Sequence, residues 1–238
     1  MIGAALLLLF ATADVPGQAK PPDGCHPIRL RQTGAQCYTA EVDGVAYRVR
    51  LSIWDDARPA SPAVFCLPAR YGRAEVRAER WGPAGTDVLV ARIVGDSGTA
   101  ALQTVGVGIG WVGSGYGLVL FETLDYTLGG RRLTGRMAHA GGRLVLSYDY
   151  TDAPYMEPDR PTLKDRWQLS LVWNDRTMRY DGAALGPGSS PLAAGVAARA
   201  EAARRAAFAL TLPAACDPAE ALTRDTGVMD IMPPASRK

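Results

Sequence analysis

Two glycine pairs, Gly129-Gly130 and Gly141-Gly142, cut the stretch from Leu118 to Tyr150 into three runs. Glycine takes positive φ at little cost, so each pair can close a two-residue hairpin turn. Counting outward from the turns sets the register. Leu128 faces Arg131 and Leu124 faces Gly135; His139 faces Leu144 and Met137 faces Leu146. One side of this meander then collects Leu120, Glu122, Leu124, Tyr126, Leu133, Met137, His139, Leu144, Leu146, Tyr148 and Tyr150. The other collects Thr123, Asp125, Arg132, Thr134, Arg136, Arg143, Ser147 and Asp149, with Val119, Phe121 and Val145 as exceptions. A slip by one residue would carry the charged set inward, so the register is strongly specified.

The rest of the chain reads in the same way. Tyr38 to Trp54 forms a second hairpin pattern, with Asp43-Gly44 as a type I′ turn signal and Tyr38, Ala40, Val42, Val45, Tyr47, Val49, Leu51 and Ile53 on one apolar face. Ala63 to Leu67 is a short strand, and Tyr71 to Arg80 reads as a strand or one or two helical turns. Asp87 to Val94 and Thr99 to Val107 are apolar on both faces, which suits central strands covered on both sides. Trp167, Leu169, Leu171 and Trp173 alternate in a last strong strand that turns through Asn174 to Thr177. Short strands between Gly- and Pro-rich turns predict an all-β antiparallel sandwich or small barrel over residues 37–180. A linker at 181–189 follows, then a helical C-terminal segment at 190–238. Ser190 and Pro191 stand as cap and first residue of an Ala-rich helix running to about Leu210. Its apolar stripe is Leu192, Val196, Ala203, Ala207 and Leu210, with Arg199, Arg204 and Arg205 outside it.

Residues 1–13 read as a secretory signal peptide: an apolar run too short to span a bilayer, then Ala11-Thr12-Ala13 as a small-x-small cleavage site. No Lys or Arg precedes the run. Residues 14–36, rich in Pro, Gly and Gln, are expected to be a mobile lead-in. The chain is thus expected to be periplasmic or secreted, without a transmembrane span once processed. Four cysteines, Cys25, Cys37, Cys66 and Cys216, show no Cys-x-x-Cys spacing. An even count in an exported chain predicts two disulfides with three possible pairings, and Cys216 tying the C-terminal segment to the β domain is preferred.

The 26 basic and 24 acidic residues nearly cancel, which argues against a nucleic-acid or polyanion partner. Two histidines give no His-rich metal site, and no cofactor is expected. Gly108-x-Gly110-x-x-Gly113 has the dinucleotide-binding spacing but leads into a strand, where that motif requires a helix; glycines at 106, 108 and 110 instead strip one strand face for a bend or a close approach. Gly95-Asp96-Ser97-Gly98 resembles the nucleophile motif of chymotrypsin-like proteases over four residues, but Thr99 stands where that family has a further glycine, and the only upstream histidine is His26.

The sharper candidates lie in the meander. Its register makes His139 a diagonal neighbour of Glu122, and a carboxylate beside an imidazole in an apolar cleft is suited to acid–base chemistry. Tyr148, Tyr150, Tyr155 and Trp167, with Trp173, are candidates for a binding surface, although aromatics at period two are more often core. Asp149, Asp152, Glu157 and Asp159 are oxygen donors of the calcium type, without EF-hand spacing. Two functions follow: a non-catalytic envelope or secreted module that binds a protein, a glycan or a small apolar ligand, or a hydrolase built on Glu122 and His139.

Overall fold

A computed structural model of the chain describes residues 20–43, 48–58, 61–68, 74–96, 102–153 and 161–209. Its elements are β1 (His26–Ile28), β2 (Gln36–Asp43), β3 (Arg48–Asp55), β4 (Ala63–Pro68), β5 (Ala74–Glu79), β6 (Val88–Asp96), β7 (Leu102–Trp111), β8 (Tyr116–Leu128), β9 (Arg131–Ala140), β10 (Arg143–Asp152), β11 (Leu163–Asn174), β12 (Arg179–Leu185) and α1 (Pro191–Ala209). The strands form two antiparallel sheets. One has the order β1-β2-β3-β4. The other is an eight-stranded meander from β12 back to β5. Among the described residues the architecture is sandwich-like all-β with one α-helix after the last strand, and the larger sheet does not close into a barrel.

Both glycine pairs turn as their chemistry requires. Gly129 and Gly130 have φ of 56° and 85°, and Gly141 and Gly142 have 57° and 73°. The ladders start at Leu128–Arg131 and at Ala140–Arg143, and His139 meets Leu144 and Met137 meets Leu146. Leu133, Leu144, Leu146, Tyr148 and Tyr150 are buried, while Arg132, Arg136, Arg143 and Asp149 are exposed.

β8 departs from simple alternation. Its register with β7 shifts twice, between Thr104 and Val105 and between Gly108 and Ile109. Each shift is a bulge that adds a residue to β8, turns the strand and switches which parity faces which layer. Tyr116 to Leu124 are consequently all buried. Phe121 and Leu118 pack with Val49, Leu51, Ile53, Phe65 and Leu67 of the small sheet. Leu120 and Leu124 join the second core, with Leu144, Leu146, Leu169, Leu171 and Tyr180. Val119 packs with Val88 and Val90. The apolar exceptions Val119 and Phe121 therefore have their own partners. The alternate glycines do strip a face: a Cβ on Gly108 would stand 2.7 Å from Leu120 Cβ and 3.0 Å from Val88 Cγ1.

Four expectations need correction. The segment read as a mobile lead-in contains β1, and Ile28 and Leu30 are buried, because the Cys25–Cys37 disulfide ties this strand to β2. The first hairpin does not turn tightly at Asp43-Gly44. Its ladder closes with Val42–Val49 and Asp43–Arg48, a register shifted by an even number of residues, so the apolar face survives. β12 runs on to Leu185, through the segment read as linker, because Ala183, Ala184 and Leu185 pair with Leu171, Ser170 and Leu169.

The fourth concerns α1. Ser190 caps it as expected, its Oγ accepting from Ala193 N at 3.1 Å. The buried stripe, however, is Ala193, Val196, Ala200, Ala203, Arg204 and Ala207. Arg204 lies inside that stripe because β8 supplies a carboxylate to receive it. The alanines let the helix lie close against β8, β11 and β12.

Candidate functional site

The structure sends Glu122 and His139 to different partners. The ladder between β8 and β9 ends at Asp125–Thr134, so Glu122 is not set opposite Met137. Glu122 instead accepts a hydrogen bond from Arg204 Nε at 2.5 Å, and both side chains are almost wholly buried. Burial pushes the Glu122 carboxyl up to about 7, against the pull of the Arg204 charge. Its Oε2 and Arg204 NH1 have no hydrogen-bond partner among the described residues. His139 is exposed and stacks on Trp81, ring centroids 6.4 Å apart.

Three of the aromatic candidates are core, while Trp173 is only partly buried. Tyr148, Tyr150 and Trp167 are buried in the second cluster. Tyr148 stacks on Trp167 at 5.5 Å, and its hydroxyl donates to Thr123 O at 3.0 Å. Burial first, and the Glu122 charge second, hold its phenol well above the ordinary range. Tyr155 lies outside the described residues, as do Ser97, Glu157, Asp159 and Cys216. Asp149 and Asp152 are turned to cations: Asp149 to Arg166 at 2.5 Å and Asp152 to Arg131 at 3.7 Å. Among the described residues no three His, Cys, Asp or Glu converge as a metal site, and no helix is long and apolar enough to cross a membrane. Cys25 and Cys37 are bonded, and Cys66 is also disulfide-bonded.

A site that the periodicity does not reveal opens where three loops meet. The chain after β1 brings Arg31, Gln32 and Thr33; the β5–β6 connection brings Gly82, Pro83, Thr86 and Asp87; the end of β11 brings Trp173 and the turn after it Met178. Trp111, at the end of β7, completes a cleft of about 380 Å³. That is within the usual range of roughly 300–1,000 Å³ for small-molecule sites.

The cleft is rigidly built. Asp55 is buried and receives Arg31 Nε at 2.9 Å, Arg31 NH2 at 2.5 Å and Tyr116 OH at 2.6 Å. Burial alone would raise the Asp55 carboxyl; the hydrogen bonds from Arg31 and Tyr116 outweigh it and hold the carboxyl below its ordinary value. Arg31 thereby stands over the Trp111 ring, 5.5 Å from its centroid, and Arg58 stands 5.0 Å from it. On the opposite rim Thr86 N and Oγ1 both donate to Pro83 O, at 3.0 and 2.9 Å. Tyr180 OH donates to Trp81 O and fixes the loop from below.

Two features of this cleft are out of the ordinary. The Trp173 indole Nε1 is buried without an acceptor among the described residues. An unmade buried hydrogen bond costs on the order of 1–3 kcal/mol. Met178, whose side chain lines the cleft, holds φ of 56°. A non-glycine residue in that region is strained, and such strain gathers at functional sites. No family model matches the chain, and neither a curated protein nor a solved structure is found to be similar to it.

Proposed function

We propose that the chain is an exported, non-catalytic binding module that takes a small, flat, largely apolar ligand between Trp111 and Trp173. A ring of a neutral saccharide has the required chemistry: an apolar face for the indoles and hydroxyl oxygens for the donors. The observation that carries the reading is the presence of two indoles, Trp111 and Trp173, in the lining of one small cleft. An indole presents a large rigid apolar face, which suits the apolar face of a sugar ring. The Cys25–Cys37 bond supports export, since disulfides persist in oxidising compartments. Against hydrolysis at Glu122 stands its geometry: a general acid or base must reach its substrate, and this carboxyl is sealed under α1 and joined to Arg204.

Tryptophan fluorescence titrated with a panel of neutral oligosaccharides and small apolar ring compounds tests the reading. At least one class should change the emission saturably. Trp173→Ala removes one ring contact and should weaken binding about five-fold or more. Trp111→Ala should abolish it. A panel without a binder, or a binder indifferent to both substitutions, overturns the proposal.

A further inference from the structure

The outward face of β9, β10 and β11 carries charge out of proportion to the chain, whose formal net charge is only +2. The ladders set Arg132 beside Thr151 and Lys164, Thr134 beside Asp149 and Arg166, and Arg136 beside Ser147 and Gln168. Arg143 lies further along β10, beside Ala140 and Val172. Arg132, Arg136, Arg143, Lys164 and Arg166 are all exposed. Asp149 is the one carboxylate among the outward positions of these strands, and it pairs with Arg166. The other four cations form no ion pair among the described residues. Beside them, Arg136, Ser147, Arg166 and Gln168 border a depression of about 570 Å³ walled by Gly186 to Ser189.

We propose that this face binds a linear anionic polysaccharide, whose carboxylate or sulfate groups lie against Arg136, Arg143 and Arg166, with Arg132 and Lys164 extending the track. Spacing requires a polymer. Residues two apart on a strand are about 7 Å apart and neighbouring strands about 4.8 Å, so Arg136 stands roughly 12 Å from Arg166 and roughly 14 Å from Arg143, and Arg143 roughly 21 Å from Arg166. A single small anion cannot touch three of them; an extended chain with repeated charges can. The residues between the cations, Ser147, Ser170, Thr134 and Gln168, offer hydroxyl and amide groups to sugar hydroxyls. No outward position on these three strands is aromatic, and the two aromatic residues at the depression, Tyr148 and Trp167, are buried, so this face offers no exposed stacking platform of the kind single-stranded nucleic acid uses. The proposal does not depend on the Trp111 cleft, which is lined by different residues.

Retention and titration calorimetry with polygalacturonate and heparin as probes test it. The native chain should bind at low salt and release as salt rises. The triple variant R136Q/R143Q/R166Q should bind about tenfold or more weakly, while R77Q/R176Q/R205Q, which removes equal charge elsewhere, should bind as the native chain does. Ser147→Glu, one carboxylate placed opposite Arg136, should reproduce the loss should the triple variant fail to fold. No binding, equal loss in the control variant, or tighter binding to DNA than to either glycan overturns the proposal.

Discussion

At the scale of single residues, Glu122 and Arg204 make the interaction of highest stake. Each ion is buried, and each would be costly alone. Arg204→Met should destabilise the fold by about 3–5 kcal/mol in urea unfolding, because it strands a carboxyl among leucines. Glu122→Met with Arg204→Met should be close to neutral, because both costs vanish together. The pair also predicts a pH profile. The folded state holds the Glu122 proton up to about 7, whereas an ordinary glutamate releases it at 4.5. Stability from this group is complete below 4.5, falls as pH rises toward 7, and is level above that. The slope inside the window is at most about 1.4 kcal/mol per pH unit. Unfolding of Glu122→Gln across that range should lack this component; an unchanged slope would assign it to another group. The sequence made Glu122 conspicuous as an acid on an apolar face. It did not supply the partner, because Arg204 lies on a helix whose alanines leave the direction of its buried side undecided.

At the scale of elements, the meander was legible because alternation and positive-φ glycines act locally. The β9–β10 ladder follows the counted register throughout. What local pattern did not carry were the two bulges of β8, since a bulge is set by the strand beside it and by the layers on either side. Those bulges, with the early end of the β8–β9 ladder, parted Glu122 from His139. Gly135 marks how tightly that region closes. A Cβ there would stand 2.6 Å from Leu124 O and 2.7 Å from Tyr148 Cε1. Gly135→Ala should therefore cost about 1–3 kcal/mol by overpacking and disturb the Tyr148–Thr123 hydrogen bond. Thermal unfolding measures the first effect and near-ultraviolet dichroism of the tyrosine the second; a variant as stable as the native chain would mean that the strand yields there. The Trp111 cleft escaped the sequence for a related reason. Its residues come from three separated loops, and the local signs, a tryptophan ending a glycine-rich run and another before an Asn-initiated turn, do not announce that they meet.

Across the whole molecule, the Cys25–Cys37 link and α1 hold the ends of the described chain to the middle. Cys25–Cys37 closes a short loop, 12 residues in separation, and anchors β1 with the segment that carries Leu30 and Arg31. Loss of the link in C25S/C37S should lower stability by about 3 kcal/mol. Urea titration in the absence of reductant should show the midpoint moving to lower concentration with little change in slope; an unmoved midpoint would mean that β1 pairing alone suffices. The helix acts over a longer reach. Glu122 and Arg204 are 82 positions apart. A ribosome therefore releases the middle strand long before the cation that neutralises it, and a chain stopped anywhere short of α1 must leave that carboxyl wet and its strand unsealed. Completion of the core is thus deferred until α1 has emerged.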